Sequence, residues 1–501
     1  MRGLLCLSVA LLGLAIQTDA QVSSETASQP LSAIDWLTEQ AALPSVAAPV
    51  VAPPVSGEIT ATPLDVAPGE GRGVIDQSMA SPLGEGLWIS SETSALAAAL
   101  QDVSLELPAP AQNLLYRLLL TVAPAHETEV WLQARATRLL ALGAVPQAVA
   151  LFEGHEISSP DLFDVWLEAA LLAGREDEAC AWLRKRPNLS TDARLRIYCF
   201  ARLGDWVGAA LTLQTADSLG DLTDDDALLL SAYLDPELAN LLPQQPPSTR
   251  ATALETRLWE AIGEPLPVSR LPLRFAWRDL EPDSGWQTQI NAAERLAQTG
   301  AIPSSQLFDI MTSRVPSASG APWDSAAAYR ALRIAIETGE ADKVSDALPD
   351  AWKSAKKSGY GAGFARYFAP TLAELSLSGA GREAYAELGY LGEDPEKHAL
   401  SIGALKPTFA RIALGDIPAP RDSDAFLESL ALGLGTRDMD AQLTGFTERG
   451  KLGEAILMAL EWIGAGMEGD LGKLTQGLAG LRGLGFDSVA RDTALALLVL
   501  Q

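Results

Sequence analysis

The chain has few of the residues on which metal sites and imidazole chemistry depend. Its 501 residues include only three His and three Cys. His126, His155 and His398 each fall in a predicted loop, without a second His or Cys at a metal-ligating spacing. Zinc sites draw on closely spaced groups of such residues. The sequence therefore predicts no metal site, no cofactor and no catalytic triad, and it favours surface positions for the three histidines.

Positive charge is also scarce. Lys and Arg number 37 against 64 Asp and Glu, so the formal net charge is −27. A field of that sign repels phosphate and excludes unassisted binding to nucleic acid or anionic lipid. The notable basic clusters are Arg184-Lys185-Arg186 and the set Lys353, Lys356, Lys357 and Arg366. Either cluster is a candidate contact for an acidic partner or an envelope glycan, but solvated faces and helix ends are the favoured interpretation.

Long apolar runs are limited to one, at residues 4–16. It follows Arg2, and cleavage after Ala20 would place Thr18 and Ala20 at the two small-residue positions of a secretory signal. The run is shorter than the roughly 20 residues that span a bilayer. The sequence therefore predicts a signal peptide at 1–20 and an exported, periplasmic chain with no integral membrane segment. An uncleaved anchor is the alternative.

Alternating strand patterns are nearly absent, and helical spacing dominates from residue 90 onward. Residues 21–57 are rich in Pro and Ala and predict an extended tether. Residues 58–89 predict an irregular segment with a short strand at 58–64. Beyond them, Leu162, Trp166 and Ala170 show the spacing of an amphipathic helix. The predicted fold class is mainly α, with helical repeats over 90–242, a helical linker region over 243–320 and further repeats over 321–501. The proline-rich breaks between these regions fit loops within one superhelix equally well.

A glycine followed five residues later by an alanine recurs along the helical region. Glycine ends a helix without steric penalty, and a small residue early in the next helix lets two backbones approach closely. The first three glycines lie 31 and 30 residues apart, which is a period typical of a solenoid. The five pairs are Gly143 and Ala148, Gly174 and Ala179, Gly204 and Ala209, Gly379 and Ala384, and Gly450 and Ala455.

The run Gly204-Asp205-Trp206-Val207-Gly208-Ala209 resembles the turn between the two helices of a tetratricopeptide repeat. The period here is about three residues shorter than in that family. The glycine that the family has in its first helix is replaced by Ala136, Leu167 and Ile197. The resemblance covers 128–218 well and 325–465 in patches. It implies a stack of helical hairpins, an α-solenoid, that offers a concave surface to protein partners.

Cys180 and Cys199 lie in consecutive helices of neighbouring hairpins, at similar distances from the turn at 187–190. That placement brings them to a similar level in an antiparallel helix pair. An exported chain can keep a disulfide, whereas two buried apolar thiols are the competing interpretation.

Three further motifs have ordinary structural interpretations. Thr223 followed by Asp224-Asp225-Asp226 predicts a capped helix N-terminus rather than a calcium loop. Four tryptophans have the helical spacing of core-facing residues, which predicts packing rather than a ligand groove: Trp131, Trp166, Trp182 and Trp462. Glu428-Ser429 resembles the catalytic pair of exported lytic transglycosylases, but the downstream element of that family is missing, and a two-residue match is common by chance.

These observations favour a non-enzymatic exported helical-repeat protein that binds or scaffolds other envelope proteins. A glycan-acting enzyme on a helical superhelix is the main alternative, and it would need carboxylates that converge in a deep aromatic cleft. A structural stalk without a specific ligand is the third interpretation. The sequence leaves the identity of the partner and the oligomeric state open.

Overall fold

A computed structural model describes residues 87–121, 128–242, 251–417 and 424–500. These ranges are helical and contain no β-strand, which confirms the predicted mainly α class. All described residues belong to one compact unit within Asp65–Gln501. The predicted signal peptide, the tether and the short strand lie outside the described residues.

Twenty-three α-helices occupy the described part of the chain. The first ten are α1 (Thr93–Asp102), α2 (Ala109–Leu120), α3 (Glu129–Ala141), α4 (Val145–Ala150), α5 (Pro160–Leu172), α6 (Glu176–Lys185), α7 (Ala193–Arg202), α8 (Trp206–Leu219), α9 (Asp224–Leu234) and α10 (Ala253–Ala261). The others are α11 (Trp286–Gln298), α12 (Ser304–Thr312), α13 (Trp323–Thr338), α14 (Ala341–Lys357), α15 (Gly361–Leu372), α16 (Gly379–Leu388), α17 (Pro395–Ile402), α18 (Pro407–Ala413), α19 (Ala425–Gly435), α20 (Ala441–Glu448), α21 (Leu452–Met467), α22 (Leu471–Gly483) and α23 (Asp487–Val499). Short 3-10 helices include Pro187–Leu189, Leu273–Leu280 and Gly389–Leu391.

Several helices begin where a hydroxyl side chain caps the first turn. The Thr128 hydroxyl accepts a hydrogen bond from the Trp131 N–H at the start of α3. Thr252 and Glu255 form a reciprocal capping box at the start of α10. Such contacts satisfy amide groups that have no partner within the helix. The local sequence therefore determines these helix starts.

The predicted glycine–alanine turns join consecutive helices in the first part of the chain. Gly143, Gly174 and Gly204 have φ of 78°, 75° and 86°. These values lie in the left-handed region, which is unfavourable for residues with a Cβ atom. Gly450 has the same kind of backbone between α20 and α21, whereas Gly379, also at positive φ, is the first residue of α16. All five partner alanines are buried: Ala148, Ala179, Ala209, Ala384 and Ala455.

Helices that are neighbours in sequence pack together, but the first and last helices are also in contact. α3 packs on α4 and α5, α5 on α6, and α7 on α6 and α8. α1 packs against α21, and α2 against α23. At the first of these junctions, the Gly453 N–H donates to the Leu87 carbonyl at 3.0 Å. The core of this unit is therefore closed by contacts between segments more than 350 residues apart in sequence.

Two arginines of α3 are buried against the ends of the two preceding helices. Arg135 donates to the carbonyl oxygens of Leu119 (3.2 Å) and Thr121 (3.1 Å) at the end of α2. Arg138 donates to the carbonyl oxygens of Val103 and Ser104, just after α1. The last carbonyls of a helix have no partner within it and carry partial negative charge, so a cation stabilises them. Two of the few basic side chains therefore stabilise the interior of the fold.

Candidate protein-binding surface

A disulfide joins Cys180 of α6 to Cys199 of α7, with a Cα–Cα distance of 5.0 Å. The bond closes a loop that contains the Pro187–Leu189 turn, and both cysteines are buried. It connects the second predicted hairpin to the third. The disulfide therefore fixes α7 on the rest of the fold, and α7 in turn carries α8.

Helix α8 begins at a turn that is stabilised by contacts between residues a few positions apart. Asp205 accepts a hydrogen bond from the Gly208 N–H at 2.9 Å, which caps the helix. A Cβ at position 208 would lie 2.5 Å from the Asp205 carboxylate, so the small residue and the cap belong together. Only Ala209 and Ala216 are fully buried along α8. Most of this helix consequently faces solvent.

The outer side of α8 carries a row of exposed apolar side chains, alongside the exposed polar residues Gln214 and Ser218. Val207, Leu211 and Leu219 are 72%, 60% and 70% exposed, and Trp206 is 54% exposed. Val207, Leu211, Thr215 and Leu219 recur every four residues, so they form one stripe along the helix. Surface helices of globular proteins usually place polar residues in such a stripe. We call this stripe, together with Trp206, the α8 face.

A groove of about 310 Å³ runs between α7 and α8 beside this face. Its walls include Leu211, Thr212, Thr215 and Leu219 from α8. Arg196 lies at its α7 wall, but its guanidinium donates to the carbonyls of Pro187 and Ser190. The groove thus continues the apolar α8 face and has little charge available on its far wall.

The surroundings of the α8 face are acidic. Residues 205–237 include eight Asp or Glu and no Lys or Arg. Asp221 is exposed at the groove, Asp217 is exposed on α8, and Asp224 and Asp225 follow at the start of α9. On the neighbouring α7, Arg202 lies 2.7 Å from Asp177. The absence of basic residues over 205–237 is visible in the sequence, but that stretch was not predicted as a contact surface.

The structure separates the basic residues that were predicted as partner contacts. Lys356 lies 2.5 Å from the Glu387 carboxylate and over the Trp352 ring, which gives it a structural role. Lys353 and Lys357 are exposed on α14. Arg366 is exposed on α15 and lines a different cavity. The four residues therefore lie on two helices in different surroundings.

The second basic cluster and the acidic run lie at helix ends, as predicted. Arg184 and Lys185 occupy the last turn of α6, and Arg186 pairs with Glu156. The Thr223 hydroxyl accepts from the Asp226 N–H at 3.1 Å at the start of α9. Both arrangements complement the helix dipole.

The prediction that His398 is a surface residue was wrong. His398 lies in α17 and is only 6% exposed, with its Nε2 3.3 Å from the Ala386 carbonyl oxygen. The rings of Tyr385 and Tyr390 meet it edge-on. Gly389 makes room for it, since a Cβ there would lie 2.1 Å from the imidazole. Burial lowers the pKa of His398 and favours the neutral ring. His155 lies in a short loop, and His126 lies outside the described residues.

One cavity in the described part of the chain, of about 770 Å³, holds carboxylates but has no aromatic side chain in its lining. Two of its carboxylates are paired, Asp192 with Arg194 at 3.0 Å and Glu168 with Arg274 at 2.6 Å. Glu428 lies in the first turn of α19, and the adjacent Ser429 is buried and donates to the Phe426 carbonyl.

A smaller cavity of about 250 Å³ lies where α2, α15 and α23 meet Gly389–Leu391. Asp492, Glu393 and Arg366 line it. Burial raises the pKa of Asp492 to about 6, and Arg491 opposes that shift only in part. Asp492 is therefore ionised at neutral pH although its buried position disfavours the charged form.

Among the described residues, no cluster of His, Cys, Asp or Glu has the arrangement of a metal site. Within the same ranges, no helix is both long and apolar enough for a membrane span. The packing predicted for tryptophans is confirmed for Trp131, Trp166 and Trp462, which are buried, and Trp182 is partly buried against the core.

The chain matches no protein-family model, no curated protein and no solved structure.

Proposed function

We propose that this protein is an exported, non-enzymatic helical-repeat protein that binds other proteins of the cell envelope. The observation that carries the proposal is the α8 face, on which Val207, Leu211 and Leu219 are all at least 60% exposed. Contiguous exposed apolar surface on a soluble helix is typical of an interaction site. The signal-like sequence at 1–20 supports export and a periplasmic location, and the run at 21–57 supports a tether between the start of the chain and the helical unit.

The hairpins from α3 to α8 support a tetratricopeptide-like stack. In such a stack each hairpin packs on the next, and a terminal repeat needs either a polar outer face or a partner. α9 packs on both α7 and α8, where the first helix of a further hairpin would lie. The chain then returns through α10, which packs on α5. The α8 face thus occupies the position against which the second helix of a further hairpin would pack.

An affinity experiment tests this function. The chain beginning at Gln21 would be immobilised and incubated with cell-envelope extract, and captured proteins would be identified by mass spectrometry. We expect reproducible capture of one or a few proteins in near-stoichiometric amounts. The same chain would be incubated with peptidoglycan, and we expect no release of soluble fragments. Clear peptidoglycan cleavage without a reproducible protein partner would overturn the proposal in favour of the glycan-acting enzyme.

A further inference from the structure

The geometry points to one class of partner for the α8 face: a basic amphipathic α-helix from another protein, which packs along α8 and the α7–α8 groove. This inference rests on the proposed protein-binding function and names the chemistry of the partner. The stripe from Val207 to Leu219 covers thirteen residues and about 18 Å, which is about three turns of a helix. A helix that meets it needs apolar residues at i, i+3, i+4 and i+7 along a similar length.

The groove provides the depth that such a helix requires. Its walls include Leu211 and Leu219 on one side and Ala193 on the other. Ala216 is buried and lines the groove, and its single methyl group leaves the space between the two helices open. Apolar side chains of an incoming helix can therefore enter between α7 and α8, whereas a flat partner would contact only the exposed tips of the stripe.

The acidic residues around the α8 face favour a partner with positive charge. Asp221 lines the groove, Asp217 is exposed on the last turn of α8, and no Lys or Arg occurs between 205 and 237. Arg196 and Arg202 on α7 are already bound to carbonyl groups and to Asp177, respectively. Lysine or arginine on the flanks of a partner helix would meet the unpaired carboxylates, so such a helix gains both affinity and association rate.

The same charges disfavour the two occupants that this chain could supply. A second copy would bring an equally acidic 205–237 segment against the first, and like charges across an interface cost several kcal/mol. Residues 21–86 contain eight acidic residues and one arginine, so this segment also has the wrong sign. The favoured occupant is therefore a different protein.

The probe for this inference is a synthetic helical peptide of about 18 residues, with leucine along one face and lysine on both flanks. Its binding to the chain beginning at Gln21 would be measured by fluorescence anisotropy. The double variant Leu211→Ser/Leu219→Ser removes the apolar stripe from exposed positions. We expect it to weaken binding about tenfold or more, as loss of apolar anchors does. The matched control is Leu400→Ser, because Leu400 is 78% exposed on the distant α17.

Charge is tested separately, since any basic peptide is attracted to so acidic a chain. The variant Asp217→Asn/Asp221→Asn should weaken binding and reduce its salt dependence, whereas the control Glu374→Gln/Glu383→Gln should leave both unchanged. A peptide with glutamate in place of lysine should not bind. A photoreactive version of the probe should crosslink to residues 205–221. Binding that is equal for wild type and Leu211→Ser/Leu219→Ser, or crosslinks confined to other segments, would overturn the inference.

Two further outcomes separate this inference from the function on which it rests. If wild type captures envelope proteins and Leu211→Ser/Leu219→Ser captures them equally, the function stands and the α8 face is the wrong surface. If wild type captures none, the proposed function itself fails. Analytical ultracentrifugation that shows a wild-type dimer, lost in the leucine double variant, would assign the face to a second copy and overturn the inference.

Discussion

Cys180 and Cys199 are bonded across the turn that joins two helical hairpins, and α7, which contains Cys199, leads directly into α8. A covalent bond thus holds the helix that carries α8 and its exposed apolar residues. Along α8 only Ala209 and Ala216 are fully buried and Leu213 is partly buried, so the position of α8 depends on how firmly α7 is held. The disulfide supplies that constraint through α7, on which α8 packs.

Replacing the disulfide should lower stability and loosen the α8 region. Closure of a loop of this length contributes about 3 kcal/mol in the chain-entropy model. We expect Cys180→Ala/Cys199→Ala to lower the free energy of unfolding by about 2–4 kcal/mol. Urea denaturation with and without reductant measures the effect. The variant should have the same stability with and without reductant, and wild type in reductant should match it. A variant as stable as oxidised wild type would contradict the structural role.

The buried arginine of α3 predicts a second stability effect. Burial lowers the pKa of Arg138 to about 10, and its guanidinium donates to the Ser104 carbonyl at 2.6 Å. In Arg138→Met, buried carbonyls after α1 lose their donor, which costs about 1–3 kcal/mol. The control Arg366→Met removes an exposed guanidinium and should change stability by less than about 0.5 kcal/mol. Thermal unfolding of both variants provides the comparison, and equal effects would show that the carbonyl contacts contribute nothing.

Two helical glycines predict opposite outcomes for the same substitution. A Cβ at Gly381 of α16 would lie 2.4 Å from the Cα of Ser345 in α14, so Gly381→Ala must push two backbones apart. A Cβ at Gly435 of α19 meets nothing within 4 Å. We expect Gly381→Ala to destabilise by about 1–3 kcal/mol through overpacking. Gly435→Ala should be neutral or stabilising by up to about 1 kcal/mol. Denaturant midpoints of the two variants test the close approach of α14 and α16.

Asp492 predicts a pH dependence whose sign follows from its raised pKa. Its folded-state pKa is about 6, above the ordinary value of 3.8, so the folded state binds the proton more tightly. The resulting stabilisation is present below pH 4 and is lost as the pH rises through 6. Asp492→Asn removes the buried charge, so it should raise stability at pH 7.5 by about 1–3 kcal/mol.

The difference between Asp492→Asn and wild type should shrink towards zero at pH 4. Urea titrations at several pH values between 4 and 7.5 measure it. Asp309→Asn, at an exposed position of α12, is the control and should show no such trend. A constant difference at every pH would show that the substitution acts by packing rather than by charge.

Local signals in the sequence were sufficient to predict the helical class and the glycine turns, and some helix starts are local as well. Thr128 and Thr252 cap helices because a hydroxyl can accept from the first-turn amides, and this chemistry depends on only three or four residues. Gly143, Gly174 and Gly204 are likewise local, since only glycine adopts their left-handed backbone at no cost. The pairing of Cys180 with Cys199 depended on one step more, the packing of two neighbouring helices.

Features that depend on distant segments were not predictable in this way. Arg135 and Arg138 have ordinary helical spacing, and only the approach of α1 and α2 buries them against carbonyl groups. His398 was predicted on the surface because it falls in a predicted loop without a second His or Cys at a metal-ligating spacing. Gly389 and two tyrosine rings, brought together by the fold, enclose it.

The sequence alone determined the helical class, the turns, the net charge and the acidity of residues 205–237, because each depends on composition or on neighbours a few positions away. The tertiary structure decided which apolar residues remain in water. Leu211 and Leu219 have the spacing of core residues, and only the return of the chain from α9 to α10 and α5 leaves them uncovered. Burial is a property of contacts between segments, so the candidate surface became visible only in the fold.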